Sequence, residues 1–363
     1  MRRLDSAQAD FEVQITALLR AAATRDEALA KQVADIIQAV RGRGDAALLE
    51  YTRALDGLDV TEPGQLEVAP ARMAAALDAL DADQRDALEQ AAERIRAYAA
   101  HQKVSGWQYQ DTHGNTLGQL VRPLERVGVY APGGRAVYPS SVLMNAVPAQ
   151  VAGVDEIILV SPAAKGQVNP LVLAAAAVAG VNRMFTIGGA QAVAALAFGT
   201  ATVHAVDKIV GPGNAWVAAA KRQVYGQVGI DMIAGPSEVL IIGDGSVDPD
   251  WIALDLFAQA EHDEDARALL LSPDGTWLDA VAAAVERLLP QQPRAAIIAA
   301  ALQGQGALIR VADLDQAIAL ANRVAPEHLE LAVARPQSLV EKVRHAGAVF
   351  LGAWSPEVLG DYC

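Results

Sequence analysis

Three short clusters hold residues that could do chemistry: Gln259-Ala260-Glu261-His262-Asp263, Pro326-Glu327-His328 and Gly360-Asp361. The chain around them is dominated by alanine and aliphatic residues. Six histidines occur in 363 residues, and two of them sit in these clusters. Gln259 and His262 are three apart, a spacing that shares one face of a helix. Glu327 and His328 set a carboxylate beside an imidazole, two common general bases. Together the clusters point to a metal-assisted, base-catalysed enzyme. Each also has a plainer reading. A histidine near a helix C-terminus is favoured by the dipole, and Glu261, Asp263, Glu264 and Asp265 make His262 read as part of a solvated acidic end. A glutamine amide is an unusual zinc ligand. Pro326 fixes the backbone at a break and could aim the next two side chains into a cleft, or simply open a helix with an exposed Glu327 and a packed His328.

The elements that must position these groups follow from the periodicity. Residues 1–25 form a short amphipathic, helical arm, and residues 26 to about 100 read as successive helices, with Asp81 as an N-cap. His113-Gly114-Asn115 sits between short strand-like pieces, which predicts a hairpin. From Arg126 onward apolar strands alternate with helices across short glycine turns: 127–130, 156–160, 184–187, 208–210, 239–242, 268–271, 307–311 and 348–351 read as strands. That rhythm implies parallel sheets. It restarts after Gly235-Pro236-Ser237-Glu238, so the fold class is α/β, with two incomplete Rossmann-like (doubly wound) domains behind the helical N-terminal arm. The expected division is residues 1–25 as the arm, 26–128 plus 238–363 as the first α/β domain, and 129–237 as the second.

No Gly-x-Gly-x-x-Gly follows a strand; Gly211-Pro212-Gly213 lacks the third glycine. Glycine turns at 133, 188 and 211 nevertheless feed helices and offer backbone N–H groups to phosphate. Asn214 reads first as a helix cap, Tyr130 first as a core or rim tyrosine, and Gln191 carries no distinctive signal.

Composition narrows the class. A hydrophobic content of 52%, a charged content of 20% and a net charge of −14 describe a globular protein with no basic face for nucleic acid or anionic lipid. The longest apolar stretches are too short to span a bilayer, and the N-terminus lacks a secretory pattern. The single cysteine, Cys363, excludes an intrachain disulfide and is a poor candidate for a thiolate nucleophile. A cytoplasmic protein is expected, and if it oxidises an aldehyde it must do so through an activated water rather than a thioester.

Several segments in order resemble the histidinol dehydrogenase family over essentially the whole chain. The most specific is Ile230-Asp231-Met232-Ile233-Ala234-Gly235-Pro236-Ser237-Glu238-Val239-Leu240. Val129-Tyr130-Ala131-Pro132-Gly133-Gly134, Gly211-Pro212-Gly213-Asn214, Gln259 to Asp263, Ala325-Pro326-Glu327-His328-Leu329-Glu330, and Trp354-Ser355-Pro356-Glu357 followed by Gly360-Asp361-Tyr362 also look like its motifs. The resemblance implies oxidation of L-histidinol to L-histidine by way of the aldehyde, with reduction of two NAD, in a homodimer. It implies Glu327 and His328 as the acid/base pair, and Gln259, His262 and Asp361 as zinc ligands. It implies that zinc also binds the substrate; Ser237, Gln259, His262, His328 and Asp361 are the expected substrate residues. Tyr130, Gln191 and Asn214 would be NAD contacts.

Family members continue past the Gly-Asp-Tyr motif into a helical tail that gives the partner subunit a further zinc-binding histidine and a substrate-binding glutamate. The sequence ends at Cys363, so weak zinc binding and little turnover are expected of it. The alternative reading is a catalytically weak or inactive two-domain scaffold of the same fold. A third is a sugar- or nucleotide-phosphate enzyme using the glycine turns as anion sites.

Overall fold

The computed structural model describes residues 1–20, 27–133, 138–163, 166–233, 235 and 237–361, with the backbone alone at 20 and 361. Its strands, in chain order, begin with β1 (Arg2–Asp5), β2 (Glu67–Val68), β3 (Trp107–Gln110), β4 (Thr116–Gln119), β5 (Arg126–Tyr130), β6 (Glu156–Val160) and β7 (Arg183–Phe185). They continue with β8 (Lys208–Val210), β9 (Gly229–Ile230), β10 (Glu238–Gly243), β11 (Arg267–Ser272), β12 (Ala307–Arg310), β13 (His328–Ala332) and β14 (Ala348–Leu351). Two compact units result: Met1–Arg25 with Gly235–Gly360, and Asp26–Ala234 with Asp361–Cys363.

The first unit holds a parallel six-stranded sheet in the order β1-β12-β11-β10-β13-β14. Its central strands are apolar runs such as Val239–Ile242 and Ala268–Leu271, buried on both faces, as parallel strands sandwiched by helices must be. The helix Pro249–Ala260 is started by Asp248, whose carboxylate accepts from Asp250 N–H, with proline in the first turn. It buries Ile252, Ala253, Leu256 and Phe257 against the sheet. On the opposite face Phe11, Ile15 and Leu18 pack with Leu240, Ile242 and Leu269.

The second unit repeats the pattern in the order β2-β7-β6-β5-β8-β9, parallel except for β2, which runs antiparallel to β7. Numbered within its own unit, each sheet reads 3-2-1-4-5 with one extra edge strand beside strand 3. The duplicated, incomplete doubly wound arrangement is therefore present.

Two expected boundaries change. Residues 1–25 are not a separate helical arm: β1 pairs in register with β12, Leu4 opposite Ile309, and the helix Phe11–Arg20 lies in the first unit's core; residues 21–26 are outside the described residues. Residues 26–128 group with the second unit rather than with 238–363. The reason is packing. Val33, Ile36, Ile37 and Val40 of the helix Glu27–Arg43 share a core with Val193, Leu196 and Val217. Leu88, Ala91, Ala92 and Ile95 of the helix Ala82–His101 share another with Val142, Leu143 and Ala146. Asp81 caps that last helix as expected, and β3 and β4 form the expected hairpin. No helix among the described residues is long and apolar enough to cross a membrane.

Candidate active site

The residues of the first unit gather at the amino edge of its sheet. Glu238, Arg267 and His328 are the first residues of β10, β11 and β13, and these strands are neighbours. The helix between β10 and β11 runs back antiparallel to them, as a crossover helix must, so its C-terminal end returns Gln259 to the same edge. His262 lies beyond the helix: Glu261 is the C-cap, and His262 N–H donates to the Gln259 carbonyl at 3.3 Å. The pair therefore does not share a helix face as expected; a turn joins them. His262 is exposed, whereas Gln259 is buried.

Pro326 opens a strand, not a helix. The helix Leu314–Val324 ends at Ala325, held in the left-handed region at φ 54°, where a Cβ costs about 1–2 kcal/mol. That turn lets Glu327 and His328 leave as extended chain. Glu327 is exposed, and its Oε2 accepts from Glu238 N–H at 3.3 Å. The Glu238 carboxylate is ion-paired to buried Arg267 at 2.6 Å; burial pushes Glu238 upward, Arg267 opposes this and Glu327 reinforces it. Ser237, half-buried, precedes β10, and its carbonyl accepts from Arg267 N–H.

His328 points into a buried polar group. Its Nδ1 lies 2.9 Å from Gln259 Oε1 and 2.7 Å from Glu357 Oε2. The Phe350 ring meets the imidazole edge-on, 6.0 Å between centroids at 70°. Behind stand Glu330, whose Oε1 accepts from Glu357 N–H at 2.7 Å, and Asp255. Burial lifts the Glu330 carboxyl well above the ordinary range, with Asp255 adding to the effect. Burial first and Glu357 second push Asp255 up to about 7.

Gln259 suits a place in a cation site on chemical grounds. An amide oxygen has two lone pairs; the His328 contact engages one, and the other remains for a metal. His262 supplies an imidazole next to it in the chain. The side chain of Asp361, the third expected ligand, is outside the described residues. Among the described residues no three His, Cys, Asp or Glu side chains gather as a metal site, a test that does not include a glutamine ligand.

In the second unit the candidate residues sit at the opposite, carboxyl edge, on either side of the β5/β8 junction where the strand order reverses. Ligands of doubly wound sheets bind at such a switch point. Tyr130 ends β5 and is buried; its hydroxyl accepts from Gly189 N–H at 3.1 Å, and burial raises the phenol to about 12. Gln191 is fully buried, with Nε2 donating to Asp56 Oδ2 at 3.2 Å and Oε1 without a partner among the described residues. Asn214 caps the helix Ala215–Val224, accepting from Trp216 and Val217 N–H, so the capping reading holds. Beneath it the turn is clamped. Lys221 Nζ donates to Gly211 O at 2.9 Å and pairs with Asp231, which in turn accepts from Gly211 N–H at 2.8 Å. Gly211 has φ 111°, and a Cβ there would lie 2.1 Å from the Tyr130 carbonyl oxygen. Gly134, Ala234 and Pro236 of the family-like motifs are outside the described residues.

Sequence reasoning assigned no role to Glu357, Glu330, Asp255 or Asp56. Glu330 had a usable signal, a carboxylate flanked by leucines in a strand-like run. The other three are brought in by tertiary contacts.

Fold and site together define a duplicated, incomplete doubly wound α/β protein whose candidate residues gather at the amino edge of one sheet and beside the switch point of the other. The family model for histidinol dehydrogenase matches residues 19–363. The chain is 58% identical over 363 residues to the histidinol dehydrogenase of Pseudomonas syringae pv. syringae (strain B728a), covering all of this chain and 81% of that protein. It is equally 58% identical to that of Aromatoleum aromaticum (strain DSM 19018 / LMG 30748 / EbN1), covering 83% of it. The crystal structure of histidinol dehydrogenase from Elizabethkingia anophelis superposes with a TM-score of 0.93 at 36% identity, covering 100% of this chain and 83% of that one. The chain belongs to the histidinol dehydrogenase family.

Proposed function

We propose that this chain oxidises L-histidinol to L-histidine by way of L-histidinaldehyde, reducing two NAD, in the last step of histidine biosynthesis in the cytoplasm. Family membership supports the substrate. The single observation that carries the mechanism is His328 at the amino edge with its Nδ1 within 3 Å of two oxygen acceptors, an arrangement that favours Nε2 as the base.

His328 takes the hydroxyl proton of the alcohol at Nε2 as hydride leaves the carbon that bears that hydroxyl. Its side chain is about a quarter exposed, so the proton can pass to solvent before the second oxidation. Glu327, exposed beside the Glu238 N–H, accepts a proton from the water that adds to the aldehyde and returns a proton to the former carbonyl oxygen, which gives the hydrate. His328 then takes a hydroxyl proton of the hydrate as the second hydride departs. Tyr130, Gln191 and Asn214 are the proposed contacts to NAD, which when bound accepts each hydride. Gln259, His262 and Asp361 would hold zinc, which when bound acts as a Lewis acid that orients the substrate; Ser237 adds a substrate contact.

A homodimer is part of the proposal. The β3–β4 hairpin exposes Trp107, Tyr109, Leu117 and, at 84%, nearby Leu120, and a two-stranded hairpin is marginal in water by itself.

NADH formation with L-histidinol and added zinc tests the reading. Two NADH per histidinol are expected, falling about 10²–10⁴-fold in rate for His328→Gln. Absence of NADH with zinc bound would instead favour the inactive-scaffold reading.

A further inference from the structure

We infer that Glu357 is the positioning residue for His328: its carboxylate holds the Nδ1 proton and thereby fixes the ring lone pair on Nε2. The inference rests on the reading of His328 as the proton acceptor in histidinol oxidation.

Two oxygens compete for one ring nitrogen, Glu357 Oε2 at 2.7 Å and Gln259 Oε1 at 2.9 Å. They are not equivalent. The amide of Gln259 can rotate to present NH₂ in place of oxygen. An ionised carboxylate has no donor orientation at all. With Glu357 opposite, Nδ1 must carry hydrogen, and the neutral ring is left basic at Nε2. Gln259 alone would allow either tautomer.

Glu357 is itself held in place. It is 7% exposed, and its backbone N–H donates to Glu330 Oε1. Glu330 lies two residues beyond His328 on β13, hence on the same face of the strand. One strand face thus grips the 357 segment twice, once through the imidazole and once through the carboxylate of Glu330. Phe350, opposite Glu330 in the β13–β14 register, closes the imidazole from the side. The ring is fixed in rotation as well as in tautomer, as a general base requires.

Glu357→Gln provides the test in the full chain with NAD and zinc. The amide can donate to Nδ1 and reverse the tautomer. A carboxylate-to-amide change behind a catalytic histidine costs about 10⁴-fold in kcat in the serine-protease triad. A kcat loss of about 10²–10⁴-fold is expected here, with KM for L-histidinol changed no more than about threefold. Glu357→Asp should recover part of the rate. A kcat for Glu357→Gln within about threefold of the parent chain would overturn the inference, as would a loss confined to KM. A direct readout covers a variant that fails to fold: nitrogen NMR of the histidine-labelled parent chain, with His328 assigned by its loss in His328→Gln. A protonated, pyrrole-type Nδ1 is expected, and a pyridine-type Nδ1 refutes the role of Glu357. That measurement needs no turnover. It therefore separates failure of the Glu357 inference from failure of the histidinol reading, which would show as no NADH from the parent chain.

Discussion

The two units share one strand order and place their candidate residues on opposite edges of it. In the second unit the residues lie at the carboxyl edge of the β5/β8 switch point, where glycine turns and capped helices present backbone groups. In the first they lie at the amino edge of β10, β11 and β13, where titratable side chains converge instead. The difference teaches that the doubly wound frame offers two distinct ends. One suits a ligand held through main-chain donors and helix N-termini. The other gathers polar and titratable side chains from strand beginnings and from the returning end of a crossover helix. Resemblance of topology between the halves thus says little about where each does its work.

The contrast can be tested by removing what holds each edge together. A large effect on stability is expected in the second unit. Lys221 is buried, and its ammonium clamps Gly211 and Asp231. Lys221→Met would leave Asp231, about a quarter exposed, without its cation. Breaking a fully buried pair costs about 3–5 kcal/mol; with partial solvent access to Asp231, about 2–3 kcal/mol is expected in urea unfolding. The proposed affinity for NAD should fall with it. Unchanged stability would show that the turn is held by its backbone alone.

An effect of comparable size, but of opposite chemical origin, is expected in the first unit. The Asp255 carboxyl is pushed from an ordinary 3.8 up to about 7. Below about pH 4 it is protonated both folded and unfolded and contributes nothing. Between about 4 and 7 the folded state keeps a proton that the unfolded chain has released, so stability falls as pH rises, and the loss is complete above about 7. Glu330 shifts in the same direction and extends the trend. Asp255→Asn should flatten this slope and raise the melting temperature at pH 8 relative to the parent chain. A parent chain more stable at pH 8 than at pH 5, with Asp255→Asn lowering that advantage, would contradict the assignment.

The smallest effect concerns the turn before Glu327 and His328. Ala325→Gly removes the left-handed strain and adds back unfolded-state freedom, for a net gain of about 0.5–1 kcal/mol. Thermal melting would register it, and a loss of stability would mean the alanine methyl packs usefully.

Legibility in the sequence followed burial and locality. β5, β6, β10 and β11 were readable because parallel strands covered on both sides are apolar runs bounded by turns. Caps at Asp81 and Asn214 were readable because their hydrogen bonds close within three residues. β2 was not, since its two residues become a strand only by pairing with β7. β13 was hidden because His328 and Glu330 interrupt its apolar pattern and Pro326 suggested a helix start. The clusters at 259–262 and 326–328 were identified from residue type. Their junction was not, because Gln259 and His328 meet across 69 positions of sequence. Asp56 meets Gln191 across 135.

One connection also governs the order of assembly. Residues 26–234 are interposed between the first strand of a sheet and the remaining five. On the ribosome nearly every contact of that interposed body is available once residue 234 has emerged. Leu4, by contrast, must await Ile309, and such long-range closure is slow. Synthesis therefore finishes one half while the other still lacks its edge, and the strand around Leu4 stays exposed to proteases and to mispairing until Ile309 has emerged.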